Sequence, residues 1–547
     1  MMTGWNFAEL WERIAEKFPD APALQHGDTV RSWSSFDQRC NGLGAALLGA
    51  GAQHQDKVAL YLFNAPEYME GVYACYKASL VPVNTNYRYV DDELAYLWDN
   101  SDAVAVIFHG SFTETVDRVR SRCINVRQWI WVDDGADECP DWALRYEDLA
   151  EPTSVRTVGT QPRSGDDILM IYTGGTTGMP KGVMWRQDDM IHATCTTGLP
   201  LLNGSMEEVG YDAILEALVA PGAPGLVACP LMHGTGWFTA QIYLTQAGSV
   251  VTLVDRKLNI EELLDTVVKR KIGALTIVGD AFAKPILRML DERPGDWDLS
   301  SLALITSSGV MWSEPVKQGL LNHHPNMFLI DAFSSSEAIG LGQSISAAGA
   351  EAKTAKFALG AASRVITEDG REVTPGSGER GRVAVRGHTP LGYYKDPEKT
   401  AATFITVDGV RYSMPGDWAT VEADGSITLL GRGSVCINTG GEKVFPEEVE
   451  EVLKLHEAIN DAVVVGVPSE RFGQTIIAVV EPVAGLDLDG DGLPDLHAVV
   501  AHCHSHLAGY KAPTSVLYVK TIGRAANGKV DYKRHTTYAL ETLGLSE

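Results

Sequence analysis

Between residues 165 and 335 short apolar runs alternate with segments of helical period, and this alternation constrains the fold more than any other feature of the chain. Residues 227–231, 249–253, 274–278, 303–306 and 327–330 read as strands. A helix is expected over 259–271, capped by Asn259, and another over 313–322, capped by Ser313 with Pro315 in its first turn. Strands that alternate with helices form parallel sheets covered on their faces. The first 110 residues alternate similarly, with strands expected at 57–62 and 103–108. After residue 357 the texture changes to glycine-punctuated β segments at 381–386, 416–421 and 426–430, which fit a small barrel or antiparallel cap.

A chain of 547 residues exceeds one core, so at least two domains are expected. The linker candidate is Gly431-Arg432-Gly433-Ser434. Behind it lies a second α+β pattern: helix 446–455, strands 462–467 and 476–482, helix 496–507 and strand 516–519. The expected division is a large α/β domain over 1–430, a hinge at 431–434 and a small α+β domain over 435–547.

Within the alternating region, the apolar run 168–171 delivers Tyr172-Thr173-Gly174-Gly175-Thr176-Thr177-Gly178-Met179-Pro180-Lys181. Its glycines let backbone N–H groups turn toward an anion, and its threonines and lysine add donors and charge. The order departs from the Walker pattern, because Met179-Pro180 separates Gly178 from Lys181 and no Ser or Thr follows the lysine. Phosphate handling explains this composition better than a plain surface turn does.

A net charge of −26 argues against a nucleic-acid partner and against anionic membrane surfaces. No apolar run is long enough to span a bilayer. Residues 1–19 mix charged with apolar side chains, unlike a signal peptide. Eight cysteines without CxxC spacing suit a reducing cytosol, so a cytoplasmic location is expected.

Taken in order, these motifs resemble the adenylate-forming superfamily, which includes acyl-CoA synthetases, firefly-type luciferases and peptide-synthetase adenylation domains. Besides the glycine-threonine loop, the similarity runs through Pro230-Leu231-Met232-His233, Phe333-Ser334-Ser335-Ser336-Glu337, Gly416-Asp417 and Gly431-Arg432. It continues through Gly440-Gly441-Glu442, Pro446-Glu447-Glu448-Val449-Glu450 and Asn527-Gly528-Lys529. What the family implies is a carboxylate attacking the α-phosphate of ATP, then transfer of the acyl group from the adenylate to a thiol such as CoA after the small domain rotates.

By this resemblance Lys529 bridges the carboxylate and the α-phosphate, and Glu337 holds Mg2+ with Thr173 as a second contact. Thr173, Gly174, Gly175, Thr176, Thr177, Gly178 and Lys181 cradle phosphates. Ser308, Gly309 and the run Asp331-Ala332-Phe333 with Ser336 meet the nucleotide, Phe333 stacking on adenine. Asp417 and Arg432 take the ribose, and Gly440, Gly441 and Glu442 complete the nucleotide set. Ser434 stands where the family has Asp or Lys, Asn438 where many members have Lys, and Pro415 where Thr is usual.

The stretch 231–254 holds no Asp or Glu, unlike domains that pair an aspartate with an α-amino group, so a hydrophobic carboxylic acid is the expected substrate. His233 and Trp237 share a face, where the family places the gate of the acyl pocket, although Trp237 also suits a core. Gly279, Ala281, Phe282, Val310 and Met311 follow strands, where open α/β sheets place ligands. The wording around 279–284 and 437–446 looks most like actinobacterial synthetases for fatty, steroid-side-chain or terpenoid acids. ATP, Mg2+ and CoA are the implied cofactors and co-substrate, and a homodimer is left open.

Two rivals stand beside an acyl-CoA synthetase: transfer of the acyl group to a carrier protein or partner enzyme, and an inactive nucleotide- or lipid-binding module. Asp487 to Gly492 imitates half a calcium loop, but Ala498 stands where its bidentate Glu belongs. His502, Cys503, His504 and His506 fit a polar helix face better than a metal site. Lys511 and Arg471 are candidates for the CoA phosphates, on equal terms with a solvated surface.

Overall fold

In the computed structural model the described residues are 4–173, 179–198, 210–310, 312–349, 355–439, 442–469, 472–486, 493–525 and 528–545. The chain divides into two compact units: Met1–Ala352 with Val385–Ser413, and Lys353–Ala384 with Met414–Glu547. The division falls at 352–353, 384–385 and 413–414, upstream of the sequence-based hinge at 431–434.

The larger unit holds two α/β sheets. One runs Thr29–Ser32, Pro22–His26, Ser249–Thr252, Pro224–Val227, Ala274–Ile277, Leu304–Ser308, Phe328–Ser335 and Ala338–Ser346 in spatial order. The six strands from Pro22–His26 to Phe328–Ser335 are parallel, and Thr29–Ser32 and Ala338–Ser346 return antiparallel. The other runs Gly392–Tyr393, Lys181–Arg186, Ile168–Thr173, Val81–Asn84, Lys57–Tyr61, Ala103–His109, Gln128–Val132 and Leu144–Arg145. It is parallel from Ile168–Thr173 onward. Parallel strands are covered on both faces, so they read as continuous apolar runs, and Ala103–His109 is buried along almost its whole length.

Helix Ile260–Arg270 follows its signals closely. The Asn259 side chain accepts from the Glu262 N–H at 3.2 Å, acidic residues open the first turn, and Lys271 ends the helix at φ 50°. Ser313 precedes helix Glu314–His323, but its hydroxyl makes no cap bond; its N–H donates to Asp280 Oδ1 at 3.0 Å instead. The expected strand at 227–231 is also corrected. The strand is Pro224–Val227, and the residues behind it form a loop that enters helix Gly234–Thr245. Among the described residues no helix is long and apolar enough to cross a membrane.

In the smaller unit Asp417–Val421 pairs antiparallel with Ile427–Arg432, and Lys356–Leu359 adds to the latter. Beyond these, Ile459–Ser469 and Gly473–Pro482 form a long hairpin, with Ser515–Tyr518 parallel to the second strand. Helices Pro446–Leu453, Leu496–His504 and Tyr532–Leu543 pack apolar residues into its core.

Candidate nucleotide and acyl site

Strand Ile168–Thr173 turns back as Lys181–Arg186, with Thr173 opposite Lys181 in register. The phosphate-loop candidate therefore joins two antiparallel strands, and Lys181 opens a strand rather than a helix. Gly174, Gly175, Thr176, Thr177 and Gly178 lie outside the described residues. The Lys181 ammonium is ion-paired with Asp396, which caps helix Pro397–Thr403. That bond, followed by the Lys399 N–H, holds the Asp396 carboxyl below its ordinary value.

Two asparagines that the sequence reading passed over fix the neighbouring backbone. Asn84 donates to the carbonyls of Tyr172 at 2.9 Å and Met232 at 2.7 Å, and accepts from the Tyr172 N–H at 2.5 Å. Asn64 accepts from the Leu231 N–H at 2.7 Å and donates to the Cys229 carbonyl at 2.9 Å. Asn84 ends one strand of the second sheet and Asn64 lies just beyond another, and both tie that sheet to the loop before His233. An asparagine beyond a strand looks like any turn residue in sequence, so nothing local marked them.

His233 precedes helix Gly234–Thr245 as its cap residue. A Cβ on Gly234 would lie 3.5 Å from Ser336 Oγ and 3.6 Å from Ile171 Cδ1, so this helix start sits between the two sheets. Thr235 Oγ1 reaches the Ser308 carbonyl at 3.5 Å and would lie 3.6 Å from a Cβ on Gly309. Ser308 is level with Ala332, and Ile277 with Ser307. Gly279, whose N–H donates to Ser307 Oγ at 2.8 Å, stands at the same ends. Ser308, Gly309, Ala332, Phe333, Gly279 and His233 are thus gathered at the carboxyl ends of three adjacent parallel strands, the usual ligand position of such a sheet.

Glu337 occupies the turn between Phe328–Ser335 and Ala338–Ser346. Tyr393 donates to Glu337 Oε1 at 2.7 Å, and Ser413 donates to its main-chain carbonyl at 2.6 Å. Trp185 holds the Ser336 carbonyl at 2.8 Å. Tyr393 is level with Val183 on the strand that Lys181 opens. Glu337 is thereby tied to the sheet that carries Thr173. Carboxylate and hydroxyl oxygens are the hard donors Mg2+ takes, and a phenol on one carboxylate oxygen is the kind of outer contact that orients a ligand. The residues fit that ion.

Other expected contacts have different neighbours. Asp331 pairs with buried Lys317 at 3.2 Å. Trp237 has no exposed surface, packs edge-on against Tyr68, and keeps its indole N–H buried without a hydrogen bond. Phe282 is buried in the same apolar core, with Ala281 and Val310 packed against it. Met311 lies outside the described residues.

In the smaller unit Asp417 is buried and faces Arg432 across the strand pair, with Arg432 Nε 3.4 Å from Asp417 Oδ1. Glu442 is exposed at the head of a short strand level with Thr439, and Gly440 and Gly441 lie outside the described residues. Lys529 is exposed on a tight turn: its carbonyl accepts from the Ala525 N–H at 2.9 Å, and the Gly528 N–H returns to the Ala525 carbonyl at 2.8 Å. Arg524 anchors that turn, gripping Asp461 through two bonds of 2.6 and 2.7 Å and the Gly528 carbonyl at 3.2 Å. Neither Arg524 nor Asp461 was singled out in the sequence.

Glu447 lies under the Gly431-Arg432 segment, with Oε2 buried and unbonded. Burial and the nearby Glu450 carboxylate push its pKa upward. Lys511 is ion-paired with Glu448, and Arg471 and Asp487 to Gly492 lie outside the described residues. His502 Nε2 donates to the Val452 carbonyl at 2.8 Å, with its ring against those of His456 and His506. It is tied to the scaffold.

Comparison with known proteins supplies an independent view. The AMP-binding enzyme profile matches residues 11–394, and the AMP-binding enzyme C-terminal domain profile matches 448–529. A medium/long-chain-fatty-acid–CoA/3-oxocholest-4-en-26-oate–CoA ligase of Mycolicibacterium smegmatis is 39% identical over 96% of this chain and 95% of its own. A 3-oxocholest-4-en-26-oate–CoA ligase of Rhodococcus rhodochrous is 37% identical over 96% and 95%. The fold matches the anthranilate CoA ligase AuaEII in complex with anthranoyl-AMP at a TM-score of 0.83, with 20% identity over 100% of this chain and 99% of that one. ATP-bound MatB from Rhodopseudomonas palustris matches at 0.78, with 21% identity over 98% and 99%.

Proposed function

The chain belongs to the AMP-binding enzyme family, and on that premise we propose an ATP- and Mg2+-dependent acyl-CoA synthetase for a hydrophobic carboxylic acid of the fatty or steroid-side-chain class. The observation that carries this reading is end-to-end similarity, at 37–39% identity, to CoA ligases of fatty and steroid acids.

Adenylation joins two anions, so it needs charge neutralisation and in-line placement more than acid–base help. Mg2+ supplies part of that neutralisation when bound. Glu337, steadied by Tyr393, and Thr173 are its proposed ligands. Ser308, Gly309, Ala332 and Phe333 receive the adenine, Asp417 and Arg432 the ribose, and Lys529 the carboxylate and α-phosphate. The acyl tail is assigned to the apolar residues behind His233, among them Trp237, Phe282 and Val310, where no acidic group would have to be desolvated. Residues 431–434 are the proposed pivot between adenylation and thioester formation, with Ser434 in the hinge position.

The test is to incubate the protein with ATP, Mg2+, CoA and a panel of acids, following pyrophosphate and thioester separately. Both products from fatty or steroid acids support the reading. Pyrophosphate without thioester would redirect the acyl group to a carrier, and neither product would leave a binding module.

A further inference from the structure

Away from the strand ends, helix Gln187–Gly198 and the segment after strand Arg380–Arg386 bring imidazole and carboxylate groups together within the larger unit. Asp188, Asp189 and His388 each offer a ligand atom, and these atoms lie within 4.8 Å of one another. His388 Nδ1 is 2.9 Å from Asp189 Oδ1. Buried His192 stacks on His388 with ring centres 4.1 Å apart, its Nε2 3.6 Å from Asp188 Oδ1.

Each carboxylate is also held from outside. The Trp5 N–H donates to Asp188 Oδ1 at 2.7 Å, and Arg186 takes Asp189 Oδ2 at 2.6 Å, which leaves Asp189 Oδ1 as the atom turned to His388. Arg186 is shared with Asp166, so one guanidinium serves two carboxylates. Outer contacts of this kind orient metal-ligating carboxylates. Ligand atoms about 2 Å from a tetrahedral zinc ion stand roughly 3.3 Å apart. The His388–Asp189 pair is already near that spacing, and side-chain rotation closes the wider gap.

We infer that Asp188, Asp189 and His388, backed by His192, form a site for a transition-metal dication of the zinc class, separate from Glu337. Nitrogen with carboxylate oxygen is a donor set zinc accepts. The consequence reaches the site already described. The segment that begins at His388 continues to Tyr393, which holds Glu337, and to Asp396, which holds Lys181. Metal bound at His388 would pin that segment to the helix behind the phosphate-loop hairpin. This inference does not depend on the acyl-CoA reading.

The experiment uses the untagged, metal-stripped full chain with Mg2+ in excess. Co2+ is titrated and followed by its visible absorption, and Zn2+ by calorimetry. The expected result is one equivalent bound, with affinity lowered about tenfold or more in His388→Gln and in Asp188→Asn. Glu337→Gln should bind Co2+ like the parent. Because a variant could fail to fold, amide exchange across 388–396 is measured on the parent chain with and without Zn2+, and slower exchange is expected. No absorption band, binding that survives both substitutions, or unchanged exchange would each overturn the site.

Discussion

Tyr393 stands 56 positions from Glu337 in sequence, yet its phenol sets one carboxylate oxygen of the proposed Mg2+ ligand. A hydrogen bond to a charged group contributes roughly 1.5–3 kcal/mol. Tyr393→Phe keeps the ring and removes only that donor. The Mg2+ concentration for half-maximal pyrophosphate release should rise about tenfold, while the melting temperature falls by only a few degrees; an unaltered Mg2+ dependence would remove Tyr393 from the site. Lys529 presents the complementary case. Its exposed side chain and anchored turn suit a group that acts on one half-reaction. Lys529→Ala should lower pyrophosphate release by on the order of 100-fold, with far less effect on thioester formation from supplied acyl-adenylate. Equal loss of both steps would contradict that role. The motifs made residues such as Glu337, Asp417 and Lys529 legible because their chemistry is local to a few neighbouring letters. The residues that hold Glu337, the neighbouring strand end and the Lys529 turn, namely Tyr393, Asn84 and Arg524, were hidden because each makes a contact distant in sequence.

The pairing of strand and helix around Gly431 shows what an element can impose on a single residue. Gly431 has φ 122°, and a Cβ there would lie 2.1 Å from Glu447 Oε2. Gly431→Ala should therefore destabilise the smaller unit by roughly 2 kcal/mol or more, measured by urea unfolding. Adding Glu447→Ala should recover part of that loss, since the two sites share one space. Glu447 also carries a pH dependence. Burial first, then repulsion from Glu450, and also from Asp417, raise its pKa above the ordinary 4.5; burial raises that of Glu450 too, against Arg524, Lys454 and the Tyr532 hydroxyl. A carboxyl whose folded pKa is raised favours the folded state most below 4.5, and that contribution is lost as pH rises through the folded value. The smaller unit should lose stability from pH 5 to pH 9, and Glu447→Gln should flatten the profile; a parent profile that rises over this range would show the carboxylate to be paired. Elements with strong local signals, such as helix Ile260–Arg270 and the apolar strands, were readable. The loop before His233 was misread as strand because its apolar residues are fixed by Asn64 and Asn84 rather than by a ladder.

At the scale of the whole molecule, the α/β class followed from alternation, but the grouping of segments did not. Residues 385–413 belong with the first unit although β-like sequence continues on either side, because their attachments through His388, Tyr393 and Asp396 are invisible to any local pattern. The net charge is a property of the same scale. A body at −26 that takes ATP, CoA and a carboxylate repels all three at long range, while its lysines and arginines attract them only nearby. The Debye length shortens from about 30 Å at 0.01 M to about 10 Å at 0.1 M salt, which screens distant repulsion before close contacts. KM for CoA should accordingly fall by a few fold between these salt concentrations at saturating Mg2+. The uncharged pantetheine thiol fragment, used as acceptor, should show little change. If KM for CoA instead rises with salt, a local cationic patch outweighs the acidic body, and the lysines and arginines of the smaller unit would be the first to substitute.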